Sequence, residues 1–521
     1  MRSVMKHKFS EVPRADIPRS SFDRSHAYKS TFNAGWLVPI FFDEALPGDT
    51  MNVRVNAFMR LNTPIFPIMD NIFVDSFFFA VPNRLLWDNW EKFNGAQDNP
   101  SDSTDFLIPE LPAPAGGWTI DSLSDFFAIP TGVDNLNVSA FWHRAYNLIW
   151  NEWFRDENLQ DSVPVSTDDG PDDPADYVVL NRGKRFDYFT SCLPWPQKGP
   201  TVDVPIGTSA PVSLDPTTTG TAQVVLKASN HTGIGSIQTL KADTNSDFAA
   251  DTVPAVLDPL DTLIADLSNA TAATINQLRE SFQIQRMLER DARGGTRYTE
   301  VVKAHFGVTS PDARLQRPEY LGGGSSAINI TPIAQTQESG GATPLGTLAG
   351  IGTGSFQGHG FNKSFTEHCT IIGMVSARAD LTYQQGLDRM WSRRTRFDFY
   401  WPALSHLGEQ AVLSKEIFAD GTAADDDVFG YQERWAEYRF KPSRITSILR
   451  SSAAQSLDAW HLSQDFATRP TLSDQFITDN PPIDRIVAVP SEPDFIFDSY
   501  IQYRCARPMP TYSVPGLIDH F

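Results

Sequence analysis

An all-β sandwich carrying long insertions is the fold this sequence predicts. Three observations point to it. Met51–Ala57 alternates apolar and polar residues, the period of a half-buried strand. Ile72–Val81 is a short, Phe-dense apolar run closed by Pro82 and Asn83, and the two runs read as antiparallel strands of one sandwich. The composition, with Pro 37, Gly 33 and Phe 35 among 521 residues, favours short strands joined by long loops. Length alone would suggest about three domains, but all-β folds often run longer as one unit.

Residues 1–30 carry seven basic and three acidic side chains, a local +4 in a chain that totals -20. The segment lacks apolar periodicity and reads as an extended basic arm. The first part of the sandwich is expected over 31–200. Within it, Ala140–Arg155 places Phe141, Ala145, Leu148, Ile149 and Trp153 along one helical face.

Residues 201–273 hold eight Asp, two Lys and one aromatic, Phe248, where the chain average of 12% would place about nine aromatics. Such a segment cannot share an aromatic core. It reads as an outward insertion, Thr201 to Ala273, with a small structure of its own. Thr274–Arg293 follows as a helix. Thr274 and Gln277 fit a capping box, Ile275, Leu278 and Phe282 share a face, and Gly294-Gly295 stops it. The rest of the sandwich is expected over 274–521. There, the Gly-, Ser- and Thr-rich stretch 321–362 reads as a long surface arm. Strand signals return at His368–Val375, Gly430–Phe440 and Arg485–Tyr503.

Charged residues are only 20% and aromatics 12%, which excludes a disordered chain, collagen and coiled coil. The net charge of -20 weighs against a general DNA binder but leaves room for local basic patches. Cys192, Cys369 and Cys505 lie far apart without a CxxC, so neither zinc nor a disulfide framework is indicated. Met1–Phe9 has no apolar core to act as a signal peptide, and Gly35–Phe42 and Ile72–Val81 are too short to span a bilayer. A soluble product of a cytoplasm is expected.

Enzymatic signatures are missing. No P-loop, GxGxxG after a strand, HExxH or GxSxG occurs. His359 and His368 have no third ligand at metal spacing, which favours structural roles. The clusters Asp168, Asp169, Asp172, Asp173 and Asp425–Asp427 follow no EF-hand spacing, so solvated loops are favoured over a calcium site. No cofactor is expected. A β-sandwich carbohydrate-active enzyme or carbohydrate-binding protein is the alternative, because paired acids need no fixed spacing and twelve Trp could stack on sugars. The densest mix of guanidinium and aromatic groups is Arg389–Trp401. Arg389, Arg393, Arg394 and Arg396 there, with Arg2, Lys6, Lys8 and Arg14 of the arm, are the candidate nucleic-acid contacts, since cations track phosphate and rings stack on bases. The competing reading is an intersubunit contact.

Several segments resemble one family. They are Cys192–Lys198 (CLPWPQK), Ser310–Gly323 (SPDARLQRPEYLGG), Leu381–Gly386 (LTYQQG), Phe429–Arg439 (FGYQERWAEYR) and Arg507–Gly516 (RPMPTYSVPG). All look like the major capsid proteins of the gokushovirus branch of the Microviridae, small tailless phages with circular single-stranded DNA. The likeness runs in order over nearly the whole chain and lapses at 201–273. It implies an eight-stranded antiparallel jelly roll and a T=1 icosahedral shell of about sixty copies built through pentameric units. It also implies an internal scaffolding protein, a small DNA-binding protein and packaged single-stranded DNA as partners, and a three-fold protrusion over 201–273 that meets a host receptor. Assembly in the bacterial cytoplasm and residence in the virion follow, without catalysis or membrane insertion.

Overall fold

In the computed structural model, which describes residues 18–200, 202, 212–214, 225–228, 255–258, 263–265, 275–308, 316–336 and 345–512, the predicted strands other than Gly430–Phe440 share one antiparallel sheet. Nine strands belong to it among the described residues: β1 (Ser20–Asp23), β2 (His26–Phe32), β3 (Val38–Ala45), β4 (Thr50–Leu61), β5 (Ile72–Pro82), β6 (Glu319–Ala334), β7 (Leu348–Ser364), β8 (Cys369–Ala379) and β9 (Phe495–Arg507). Their order is β1-β9-β4-β7-β6-β5-β8-β3, and β2 continues the β1 edge of β9.

The burial pattern follows the sequence pattern. In β4 every second residue, from Met51 to Leu61, is buried. β9 alternates likewise, with Phe495, Phe497, Ile501 and Tyr503 inward. β8 is buried at every position. A helix, α1 (Phe141–Trp153), packs near β5 and β8, so both faces of those strands are covered. Phe79, Val81, Ile372 and Met374 there join Ala145, Tyr146, Ile149 and Trp150 in one apolar cluster. The predicted helical face is buried at Phe141, Ala145 and Ile149, but Trp153 is 41% exposed and its indole donates to Pro318 O.

The sheet curls. β6 and β7 pair with each other only where Ile328–Ala334 meets Leu348–Gly354. Elsewhere they part: β6 ladders to β5 from Glu319 to Ile328, and β7 ladders to β4 from Thr353 to Ser364. Phe361 of β7 then meets Phe78 of β5 and Phe41 of β3, with centroids 5.7 and 6.4 Å apart. At the far ends, Tyr503 Oη of β9 donates to Asp43 of β3 at 2.6 Å, and Arg24 pairs with the same carboxylate. Side chains, not a backbone ladder, join these two ends.

β4 and β5 are antiparallel members of one sheet, with β7 and β6 between them. Four expectations need correction. The described part of 321–362 is mostly sheet interior by position, not a surface arm. Its period of two is carried by glycine, which no hydrophobic pattern reveals; a Cβ on Gly323 or Gly360 would lie 2.0 Å from the carbonyl oxygen of Ser76 or Val53 on the neighbouring strand. Within residues 1–30, assigned to an arm, Ser20–Asp23 and the start of His26–Phe32 are strands on β9. Gly430–Phe440 is strand only through Glu433 and then a 3-10 turn, Ala436–Tyr438, while Arg485–Tyr503 becomes strand at Phe495.

The chain divides into two compact units, Met1–Pro196 with Val308–Phe521, and Gln197–Gly307. The second pairs Val212–Leu214 with Leu263–Ala265 and Val225–Ala228 with Ala255–Asp258. It also holds α2 (Ile275–Arg293) and α3 (Tyr298–Phe306), the latter ended by Gly307 at φ 68°. Thr274 of the expected capping box lies outside the described residues. The apolar face expected on α2 is not the covered one: Ile275 and Phe282 are 70% and 62% exposed, whereas Ala292 is buried. Leu278 is only half-buried.

Candidate nucleic-acid and assembly surface

The segment 389–401 is a chain of short 3-10 turns, Arg389–Ser392, Arg396–Asp398 and Pro402–Leu404 following closely. Asp398 folds the middle turn by accepting from the backbone N–H groups of Arg394 and Thr395 at 2.9 and 2.6 Å. The four arginines separate into two kinds. Arg389 Nη1 donates to Ala411 O at 2.7 Å and to Glu416 Oε1 at 3.0 Å. Glu416 is buried, and burial raises its pKa against the pull of Arg389. Its other oxygen accepts from Tyr188 Oη at 2.8 Å. Arg393 Nη2 donates to Glu437 at 3.2 Å, with the guanidinium 4.3 Å from the Tyr438 ring centre. These two arginines hold the segment to the satellite core around Phe189, Tyr383 and Ile417.

Arg394 and Arg396 are exposed, and Arg396 lies 4.7 Å from the Trp401 ring centre. Around them Trp391, Phe397, Phe399, Tyr400 and Trp401 are between 42% and 71% exposed. An aromatic patch of this kind on a single copy marks a binding surface. Rings beside unburied guanidinium groups can stack on bases or fill a protein interface.

The arm candidates Arg2, Lys6, Lys8 and Arg14 lie outside the described residues, as does most of Thr201 to Ala273. Arg24 and Lys29 are committed to Asp43 and Asp498. The first carboxylate cluster is neither a plain solvated loop nor a hard-cation cage: Asp172 is buried against Arg144, and Asp169 accepts from the Trp87 indole at 2.7 Å. In the second, Asp425 pairs with Arg469 and Asp426 with Lys415. His359 stacks on Phe356 at 4.3 Å and bonds Ser76 Oγ at 2.9 Å, while His368 lies edge-on to Trp90. No group of three metal-ligating side chains occurs among the described residues. No helix among them is long and apolar enough to cross a membrane.

Sequence reasoning missed the residues that hold the patch from behind. Asp388 pairs with Lys441 at 2.8 Å and with Arg444. Burial pushes the Asp388 carboxyl up, but those two cations outweigh it and hold the pKa below the usual range. Glu416 and Glu437 lie 27 and 44 residues beyond the arginines they bind, so no local spacing announces them.

Comparison with known proteins shows the family to which the chain belongs. A family model described as "Capsid protein (F protein)" matches residues 10–517. The chain is 51% identical to capsid protein VP1 of Bdellovibrio phage phiMH2K, covering 99% of this chain and 98% of that protein. It is 44% identical to capsid protein VP1 of Chlamydia phage 1, over 99% and 98%. It is 37% identical to capsid protein VP1 of Spiroplasma virus 4, over 98% and 97%. These relatives are structural proteins, not enzymes, which displaces the carbohydrate-active alternative.

Proposed function

Because the chain belongs to the phage capsid protein (F protein) family, we propose that it is the major capsid protein of a gokushovirus and closes into a T=1 shell of about sixty copies around circular single-stranded DNA. The observation that carries this is the aromatic patch at Trp391–Trp401, whose five rings are 42% to 71% exposed on the single copy, the kind of surface that marks a binding face. An eight-stranded jelly roll is the fold proposed to underlie the curled sheet. In such a shell, pentameric units close first, an internal scaffolding protein and a small DNA-binding protein assist in the bacterial cytoplasm, and Thr201–Ala273 faces outward toward a host receptor.

Light scattering after size exclusion tests the shell: megadalton particles or ring-shaped subassemblies support it, and a small oligomer under every condition refutes it. Genome contact by the arm and by Arg394 and Arg396 is tested by deleting residues 1–8 and by the double change Arg394→Ala/Arg396→Ala. Each lost phosphate contact should lower the salt-dependence slope for single strands by about 0.7. Unchanged DNA retention and slope would remove those residues from the contact. Exchange of 201–273 between relatives should move host range or adsorption if that loop meets the receptor.

A further inference from the structure

The sheet has a bare face at β9 and β4. On β9 every second residue from Ile496 to Arg504 is exposed, and on β4 so are Arg54, Phe58 and Arg60. The ladder sets Asp498 opposite Phe58 and Tyr500 opposite Asn56. The two rings are therefore diagonal neighbours, a spacing of about 7–8 Å in a sheet. Phe58 is 54% exposed and Tyr500 51%. Lys29 of β2 and Asp23 of β1 extend this face on the far side of β9. Lys29 pairs with Asp498 at 2.5 Å, and Asp23 lies opposite Arg504 in the ladder. Arg54 and Arg60 are left over: both are exposed, and neither has an ion pair among the described residues. They stand six residues apart on β4, about 20 Å, with Phe58 between them. The face thus carries a formal surplus of two positive charges on a chain that totals -20.

The unpaired arginines select an anionic partner, and the open rings select one with flat groups to stack. An added peptide strand is disfavoured. β4 lies between β9 and β7, and β9 between β4 and the β1–β2 edge, so neither has a free backbone edge. Strand addition needs such an edge. What remains is side chains alone, cations for phosphate and rings for bases, the combination that holds single strands without reading their sequence. We propose that this face is a platform for unpaired nucleotides of the enclosed strand, with bases on Phe58 and Tyr500 and phosphates toward Arg54 and Arg60. This rests on the genome-enclosing function proposed above and adds a contact separate from the arm and from Arg394 and Arg396. Duplex bases could not use it, because their faces are already stacked on one another.

Ultraviolet irradiation of intact, DNA-filled particles, followed by peptide mapping, tests where the strand lies: crosslinks should fall on the segments bearing Phe58 and Tyr500. Oligothymidine binding to the unassembled full-length chain tests what holds it. Arg54→Gln/Arg60→Gln should remove about 1.4 from the salt-dependence slope, two contacts at about 0.7 each, and Arg54→Lys/Arg60→Lys should keep it. Phe58→Ala should weaken binding about fivefold or more, and Phe58→Tyr should not. All three positions are exposed, so each variant should fold. Crosslinks confined to other segments, or a slope and affinity unchanged in these variants, would overturn the platform and leave genome enclosure standing. Polyglutamate binding with the same dependence on Phe58 would give the face to an acidic protein and overturn the platform too. Particles that hold no DNA would overturn the enclosing function itself, and the platform with it.

Discussion

Arg144 is the buried charge on which the α1 side of the sheet depends most. Its side chain has no exposure, and Asp172 opposite has 2%. The guanidinium makes five hydrogen bonds, to Asp172 at 2.8 and 2.5 Å, to Leu86 O at 2.9 Å and to Asp168 at 3.0 and 3.3 Å. Tyr177 Oη also donates to Asp172 at 2.5 Å. Arg144→Met keeps much of the volume but strands the Asp172 carboxylate and two backbone carbonyls. Removing one partner of a buried pair costs about 3–5 kcal/mol. The unit concerned spans about 410 residues, and an unfolding entropy of about 2.1 cal/mol/K per residue makes the loss worth about 3–6 °C in Tm. Differential scanning fluorimetry of the unassembled protein reads this directly. Arg144→Met/Asp172→Leu removes both charges and should recover much of the loss, because a buried pair replaced whole by apolar groups is often neutral. A single variant within 1 °C of wild type, or a double variant no better than the single, would refute the reasoning.

Two buried groups should pull the pH dependence in opposite directions. Burial lowers His143 to about 4 from 6.5, so its contribution is present above about 6.5 and is lost as pH falls to about 4, up to about 3 kcal/mol. Burial raises Asp479 to about 6 from 3.8, so its contribution is present below about 3.8 and is lost as pH rises through about 6. The two nearly cancel between pH 4 and 6. Tm measured across that window should therefore fall with rising pH in His143→Gln and with falling pH in Asp479→Asn; parallel slopes in both variants would contradict the assignment. Gly373→Ala should destabilise by about 1–3 kcal/mol, since its Cβ would lie 2.5 Å from the Phe78 ring and 3.0 Å from Phe41 Cβ. A melt equal to wild type would mean that those rings can move aside.

The sequence made visible the strands whose alternation is written in apolar side chains. β4 was legible for that reason, β5 and β8 as short apolar runs, and the buried edge of α1 by helical spacing at Phe141, Ala145 and Ile149. β6 and β7 were not, because Gly350, Gly352 and Gly354 mark the inward period with an absence of side chain, and their composition resembles a loop. The Arg389–Trp401 segment stood out as dense in charge and rings, but its division into anchoring and exposed arginines depended on Glu416 and Glu437, which only the fold brings near. Likewise the aspartates at 168–173 looked like a loop because their partner, Arg144, sits on a helix 28 residues before Asp172.

β9 is made last and lies between strands made first: Phe495 pairs with Leu61 on one side and Phe32 on the other. At about 5–20 residues per second, a ribosome needs about 20–90 s to travel from one of these partners to the next. Until Phe495–Arg507 emerges, β4 and β2 lack the strand that pairs with both. A product that stops short of Phe495 lacks that shared partner of β2 and β4.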